Sequence, residues 1–185
     1  MVEIARIVGD LLAGHSVTHD GPVFRLDGVE LGRDPVQVPL LWGVMGPKMV
    51  AAAGAHADGV TLNYAASTQR VHDVTTAARA AAEHTGRDPD ALRFPAHVLT
   101  TVDDDGDAAV ERFRTQLETM PVLRAESGLP DGPVSTEAAA ARSASGTPGQ
   151  VRQRLRAYLE AGATEVIVVV SGDPLTALDA IFDTR

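Results

Sequence analysis

The chain has 185 residues, 44% apolar and 22% charged, which is typical of a folded globular domain and excludes wholesale disorder. Its formal net charge of −9 argues against a nucleic-acid partner, and the absence of cysteine excludes disulfides, thiolate metal sites and cysteine nucleophiles. No apolar run has the length of a membrane helix and the N-terminus lacks a signal-peptide pattern, so we expect a cytoplasmic protein without membrane contact.

Residues 1–37 are predicted to form a helix and a small hairpin ahead of the main body. Apolar residues recur at helical spacing from Ile4 to Leu12, and Gly14 follows as a stop signal. The alternating residues around Asp20-Gly21 are typical of an antiparallel hairpin.

From residue 38 onward, strand and helix patterns alternate four times. This order predicts right-handed βαβ units, and therefore a parallel sheet with helices outside it. Nothing marks a second domain, so we predict one domain over residues 1–185, with four β/α units in 38–185. Open doubly wound sheets and (β/α) barrels both fit the pattern, although a complete eight-stranded barrel needs about 250 residues. The predicted strands are residues 38–44, 60–63, 94–102 and 165–170.

Three finer expectations concern single elements. The first strand is continuously apolar, so we expect it to be buried on both faces. Residues 121–146 are predicted to be loop with one short helix near 136–142. The last helix, opened by Asp173-Pro174, is expected to bury Leu175, Leu178 and Ile181. The helix that follows the third strand is expected to bury Val110, Phe113, Leu117 and Met120.

The turn after the first strand has the features of an anion site. Gly46 lets a ligand approach the backbone, Pro47 fits the first turn of a helix, and Lys48, the only lysine in the sequence, adds a positive charge. Parallel folds hold their ligands at this end of their strands. The residues alone leave two interpretations open, a phosphate cradle and a well-made turn with a solvated lysine.

Several motifs resemble the luciferase-like flavin monooxygenase family, including its deazaflavin-dependent oxidoreductases. The resemblance implies a TIM-barrel lineage in which this chain matches strands five to eight only. The expected fold class is therefore α/β: half of a TIM-type (β/α)8 barrel, with four parallel strands, outer helices and a small N-terminal hairpin. The motifs are GPKM at 46–49, AGxxADGVxLN at 53–63, GRDP at 86–89, GTPGQV at 146–151 and GPVFRLDGVEL in the hairpin.

The resemblance also implies a cofactor, FMN or a deazaflavin, whose phosphate contacts Met45, Gly46, Pro47 and Lys48. No catalytic residue is carried over, because the first half of the family's barrel has no counterpart here. The first hypothesis is a flavin- or deazaflavin-binding, monooxygenase-like oxidoreductase built from half-length chains. The alternatives are a non-catalytic ligand-binding or assembly module and a non-redox enzyme that reuses the site.

Further candidate ligand contacts lie on the second and third strands or directly after them. His97 is out of phase with its apolar strand neighbours, so one strand face carries a titratable ring. Two interpretations of His97 remain open. The commoner arrangement is a histidine whose hydrogen bonds are satisfied in the layer that faces the helices, and the alternative is a site histidine in the barrel interior. The candidates are Asn63, Tyr64, His97, Thr100 and Thr101.

The acidic run 103–107 does not predict a metal site. An EF-hand loop would require acids where Thr101 and Arg112 stand, so we interpret the run as a solvated loop in which Asp107 caps the next helix. We expect no bound metal.

Half a barrel leaves two strand edges unpaired, at residues 38–44 and 165–170, and it exposes its interior face. We therefore expect a second polypeptide. A homodimer that closes eight strands ranks first, a separate chain that supplies the missing half ranks second, and a monomer covered by its own hairpin ranks third.

Overall fold

The computed structural model describes residues 1–182, so residues 183–185 at the end of the predicted domain lie outside the described residues. The chain forms two compact units, one of residues 1–60 and 77–92 and the other of residues 61–76 and 93 onward. The helices are α1 (Val2–Leu12), α2 (Pro47–His56), α3 (Thr68–His84), α4 (Gly106–Thr119), α5 (Pro121–Ser127), α6 (Thr136–Ala140), α7 (Pro148–Glu160) and α8 (Pro174–Phe182). The strands are β1 (Val17–Asp20), β2 (Arg25–Val29), β3 (Leu41–Trp42), β4 (Gly59–Val60), β5 (Pro95–Thr100) and β6 (Glu165–Val170).

The N-terminal helix and hairpin are present as the sequence predicts. Gly14 has a φ of 83°, the left-handed conformation that favours glycine after a helix, and β1 pairs with β2 in the antiparallel sense. A polar contact joins the hairpin to α1, since Glu3 Oε1 lies 2.8 Å from His19 Nε2 and accepts from the Phe24 N–H at 3.1 Å. The His19 contact lowers the pKa of Glu3.

The first unit also contains the first parallel pair, β3 with β4. The prediction of a long strand buried on both faces is wrong for residues 38–44. Only Leu41 and Trp42 are in the strand, and Val38 is 48% exposed. The physical reason is that β3 has a partner on one side only among the described residues, and Pro39 has no N–H to donate to a ladder.

The second unit is built on a longer parallel pair. All six residues of β6 pair in register with β5, from Pro95 with Glu165 to Thr100 with Val170. On the opposite edge of β5, Leu62 pairs with Ala96. A full capping box closes the N-terminus of α7, in which the Thr147 side chain accepts from the Gln150 N–H and the Gln150 side chain reaches back to the Thr147 N–H.

Helices α4, α5 and α6 share an apolar cluster in the second unit. Phe113 and Leu117 are fully buried, as predicted, whereas Met120 is 48% exposed because α4 ends at Thr119. The cap of α4 is Asp105, whose carboxylate accepts from two N–H groups, and not Asp107 as expected. The short helix near 136–142 is confirmed as α6, while α5 was not predicted. The buried members are Ala65, Val110, Phe113, Leu117, Leu123, Val134 and Ala139.

Candidate functional site

The turn between β3 and α2 is accessible to solvent. Met45, Gly46, Pro47 and Lys48 are all exposed. Gly46 is the N-cap of α2, and no side chain caps this helix end. A Cβ placed on Gly46 would meet no atom within 4 Å, so the space beside the turn is open. A ten-residue helix therefore begins here with its positive end at an accessible turn, and Lys48 is exposed in its first turn.

Two polar side chains fix the elements behind this turn. The Leu40 N–H donates to Asp58 Oδ2 at 2.7 Å, and the Asp58 N–H donates to the Leu40 carbonyl at 3.0 Å. Arg87 donates to the Gly54 carbonyl at 2.6 Å and lies 3.9 Å from Asp58 Oδ1. The start of β3 and the end of α2 are thus tied together within the first unit.

A second group of candidates lies in the second unit, where Tyr64 and His97 are in contact. Their ring centroids are 5.5 Å apart and the rings meet edge-on at 79°. Tyr64 is 37% exposed and Asn63 is half-buried. The next residue, Ala65, has a φ of 61°, a left-handed conformation that is strained for a residue with a Cβ. The sequence carried no signal for this strained residue, whose conformation bends the chain just after the Tyr64 ring.

His97 lies on the face of β5 that points away from α7. Its neighbour Val98 is buried and pairs with Val168, which lines a cavity together with side chains of α7. Because alternate strand residues point to opposite faces, His97 and its partner Ile167 share the other face. The helix-facing position is therefore not the one that His97 takes, and its interpretation as a site histidine stays a prediction.

Thr100 and Thr101 have little surface to offer to a ligand. Thr100 is fully buried and its hydroxyl donates to the Val98 carbonyl at 3.1 Å, while Thr101 is 5% exposed. Residues 144–146 run beside the end of β5, where Gly146 donates to the Thr101 carbonyl at 3.0 Å. Covered by this segment, both threonines lack the exposure that was expected of ligand contacts.

Tyr158 on α7 holds the backbone that follows Tyr64, and sequence reasoning missed this role. Its hydroxyl donates to the Ala66 carbonyl at 2.8 Å, and the ring is buried. Burial raises the pKa of Tyr158 far above its ordinary value, although the nearby Arg142 and Arg154 guanidinium groups oppose the shift. The hydroxyl therefore remains a proton donor over the whole physiological pH range.

We expect Tyr158→Phe to lower the free energy of unfolding by about 1–2 kcal/mol, because the Ala66 carbonyl loses its donor in a buried setting. Urea denaturation followed by circular dichroism measures the change. Thr119→Val is the control, since the Thr119 hydroxyl donates to the Thr115 carbonyl on an exposed helix surface. Equal free energies of unfolding for Tyr158→Phe and the parent chain would show that this hydrogen bond does not stabilise the fold.

The histidine and carboxylate side chains form no metal site in residues 1–182, where no group of three such residues is arranged to hold an ion. His56, His72 and His84 are exposed on helices. None of the helices in the same residues combines the length and apolar character needed to cross a bilayer.

Residues 1–165 match the family model described as luciferase-like monooxygenase, and the chain belongs to that family. It is 28% identical over 204 residues to the 5,10-methylenetetrahydromethanopterin reductase of Archaeoglobus fulgidus, which covers 95% of this chain and 60% of the relative. The reductase of the same name from Methanolobus tindarius is 30% identical over 200 residues, covering 93% and 59%. An F420-dependent hydroxymycolic acid dehydrogenase of Mycobacterium tuberculosis is 28% identical, covering 97% and 51%.

Solved structures show the same fold at lower identity. An F420-dependent secondary alcohol dehydrogenase in complex with an F420-acetone adduct superposes with a TM-score of 0.81 at 22% identity, covering all of this chain and 59% of that one. The coenzyme F420 dependent tetrahydromethanopterin reductase of Methanopyrus kandleri has a TM-score of 0.72 at 21% identity. The α/β class and the likeness to luciferase-like barrel enzymes are confirmed. The chain spans between 51% and 60% of the length of the curated relatives given above.

Proposed function

We propose that this chain is part of a flavin- or deazaflavin-dependent oxidoreductase and holds the cofactor's phosphate group at the turn of residues 45–48. The observation that carries the proposal is the open, uncapped N-terminus of α2 with Lys48 exposed beside it. The comparisons support the proposal through the family membership and through the similarity to an F420-dependent dehydrogenase. Separate titrations with FMN and with coenzyme F420 distinguish a flavin from a deazaflavin cofactor.

The residues of this turn fit a phosphate group. A phosphate requires N–H donors, positive charge and room, and the turn provides a helix N-terminus, one ammonium group and open space next to Gly46. Among the described residues Lys48 has no carboxylate within ion-pair distance, so its charge is available to an anion. The chain carries a net charge of −9, so most of its remaining surface repels anions. An anion is therefore bound preferentially at this local positive site.

A bound flavin or deazaflavin ring supplies hydride transfer, which no side chain can supply. The chain's own contribution is to position the phosphate end through Lys48 and the backbone of α2. Within the second unit, Tyr64, His97 and Asn63 stay proposed ligand contacts, because Tyr64 is exposed, Asn63 is half-buried and the Tyr64 and His97 rings are in contact. The burial of Thr100 and Thr101 removes these two residues from the proposed contacts.

We also propose that a second polypeptide completes the fold as a half-barrel partner, with a second copy of this chain as the first choice. The support is the free edges, since β6 pairs only with β5 and β3 pairs only with β4 among the described residues. Alternate residues along the six-residue β6 direct their N–H and C=O groups away from β5, towards an edge that has no strand partner among the described residues. Exposed strand edges of this length are normally paired or covered.

Lys48→Glu tests the phosphate assignment. We expect this change to weaken binding of FMN far more than binding of riboflavin, which lacks the phosphate. The loss of one charge-assisted hydrogen bond costs about 1.5–3 kcal/mol, and the reversed charge adds repulsion. Quenching of flavin fluorescence during titration measures both dissociation constants.

Arg70→Glu is the matched control, because Arg70 is a half-buried cation in the first turn of another helix, α3. We expect little change in either dissociation constant for this variant. Equal weakening of FMN and riboflavin by Lys48→Glu, or no weakening of either, would reject the phosphate assignment.

A further inference from the structure

Arg142 and Arg154 place two half-buried guanidinium groups in the second unit. Neither group forms an ion pair with a carboxylate of residues 1–182. Burial lowers the pKa of both groups, and the nearby phenol of Tyr158 opposes the shift. That phenol is neutral, so it does not balance the two positive charges. A cation that is withdrawn from water needs an anionic or polar partner, and the anionic one is missing here.

Backbone carbonyl groups hold both guanidinium groups in place. Arg142 donates from Nε to the Ser127 carbonyl at 3.0 Å and from Nη1 to the Ala138 carbonyl at 3.2 Å. Arg154 donates from Nη1 to the Ser145 carbonyl. Because a guanidinium group has five N–H donors, most of the donors of both residues remain for other acceptors. The two side chains are therefore positioned in advance for an acceptor that the protein itself does not supply.

A buried hydroxyl group without a partner belongs to the same cluster. Ser145 is fully buried, and its Oγ forms no hydrogen bond with any residue of 1–182. Buried hydroxyl groups are normally paired, so an unpaired one indicates a missing partner. The carbonyl of this same residue accepts from Arg154, which places the unpaired hydroxyl on the residue that the guanidinium contacts.

The cluster lies at the end of the parallel strands where such folds bind ligands. Residues 144–146 run beside the end of β5, where the Gly146 N–H donates to the Thr101 carbonyl. The Tyr158 hydroxyl donates to the Ala66 carbonyl, two residues after the candidate ligand contact Tyr64. Since both guanidinium groups interact electrostatically with this one phenol, they lie close to each other.

We infer that Arg142, Arg154 and Ser145 form a binding site for an oxyanion, which is the phosphate or carboxylate group of a small ligand. Guanidinium groups match such groups by charge and by their planar pair of donors. The Ser145 hydroxyl supplies a further donor. An apolar or cationic ligand would leave all three side chains without a partner. The site is distinct from the turn of residues 45–48, which belongs to the first unit, and it does not depend on the proposed function.

Inorganic phosphate is the probe, and the full chain with Lys48→Glu is the protein, because this change removes the anion site proposed at the turn. Thermal unfolding is followed while phosphate replaces chloride at constant ionic strength. We expect the unfolding midpoint to rise and to saturate, as it does when a ligand binds the folded state alone. A parallel titration with citrate distinguishes a carboxylate ligand from a phosphate ligand, and saturation with either one supports the inference.

Arg154→Gln in this chain is expected to raise the dissociation constant of the anion at least about tenfold, because one charge-assisted hydrogen bond is lost. Arg152→Gln is the matched control. Arg152 also lies on α7 and also donates to one backbone carbonyl, that of Ile181 at 2.8 Å, but it lies outside the cluster. The control should bind the anion as tightly as the chain that carries Lys48→Glu alone.

Ser145→Ala decides the matter if Arg154→Gln does not fold. Loss of an unpartnered hydroxyl should leave the midpoint in chloride no lower, and it should raise the dissociation constant of the anion about threefold or more. A midpoint that neither phosphate nor citrate raises above its value in chloride would overturn the inference. So would a dissociation constant that both Arg154→Gln and Ser145→Ala leave unchanged. Because every titration uses the Lys48→Glu chain, these results are separate from the success or failure of the cofactor site.

Discussion

Replacing Gly54 by alanine is expected to lower the free energy of unfolding by about 3 kcal/mol or more, because the added Cβ has no space. An ideal Cβ at this position lies 2.1 Å from the carbonyl oxygen of Ala78 and 2.8 Å from its carbonyl carbon. Both atoms are backbone of α3, so no side chain can rotate away. The clash must push α2 from α3 within the first unit, and the Arg87 hydrogen bond to the Gly54 carbonyl is strained with it.

Thermal and urea unfolding of Gly54→Ala measure this effect. Gly149→Ala is the control, because a Cβ on Gly149, also in a helix, would meet only the end of the Arg152 side chain at 3.9 Å. Alanine has the higher helix propensity, so the control should be neutral or slightly stabilising. Similar stability of the two variants would show that the helices are not in the close contact described.

The second large effect is expected for Phe113→Ala. Phe113 is fully buried in the cluster shared by α4, α5 and α6, and removal of a buried phenylalanine side chain costs about 3–5 kcal/mol. Leu99 of β5 packs against the same cluster, and the strained Ala65 belongs to it. We therefore expect the cavity to loosen the segment after Tyr64 as well as to destabilise the unit.

Urea denaturation gives the loss in stability, and the tryptic cleavage rate at Arg70 reports on the segment after Tyr64. Val122→Ala removes apolar atoms from an exposed position on α5 and should change the stability by less than about 0.5 kcal/mol. A loss below about 1 kcal/mol for Phe113→Ala would contradict the described core.

The parts of the fold that local signals determine were predictable from the sequence. Thr147-Pro148 with Gln150 is a self-contained helix start, and it forms a capping box in the structure. The run at 165–170 has five consecutive β-branched residues after Glu165, and it forms β6 with the predicted bounds. The same holds for the hairpin at Asp20-Gly21, because its turn is encoded by neighbouring residues.

The parts that depend on distant partners were not predictable. The apolar run at 38–44 is only partly buried, because burial of a strand requires neighbours on both sides and β3 has only β4 as a partner within residues 1–182. Leu175 and Leu178 have the spacing of an inward face, but Ala177 and Ile181 occupy the interior instead. Periodicity identifies an apolar face, and tertiary contacts decide which of two faces is buried.

The candidate site also has parts that the local sequence predicts and parts that depend on distant residues. The turn at 46–48 is encoded by three consecutive residues, and the helix they open is present with Pro47 in its first turn. Thr100 and Thr101 are buried at the end of β5, beside residues 144–146, which are more than forty positions away along the chain. No local pattern could have shown that this segment covers the end of β5.

Binding of a flavin or deazaflavin nucleotide to the purified chain is the most direct test of the proposed function. Separate titrations with coenzyme F420 and with FMN, followed by fluorescence quenching, measure affinity and stoichiometry. We predict saturable binding of at least one of the two, with one molecule bound per chain and with riboflavin bound much more weakly than FMN if FMN is the ligand. The absence of saturable binding for both cofactors, with the chain in its native assembly, would contradict the proposed function.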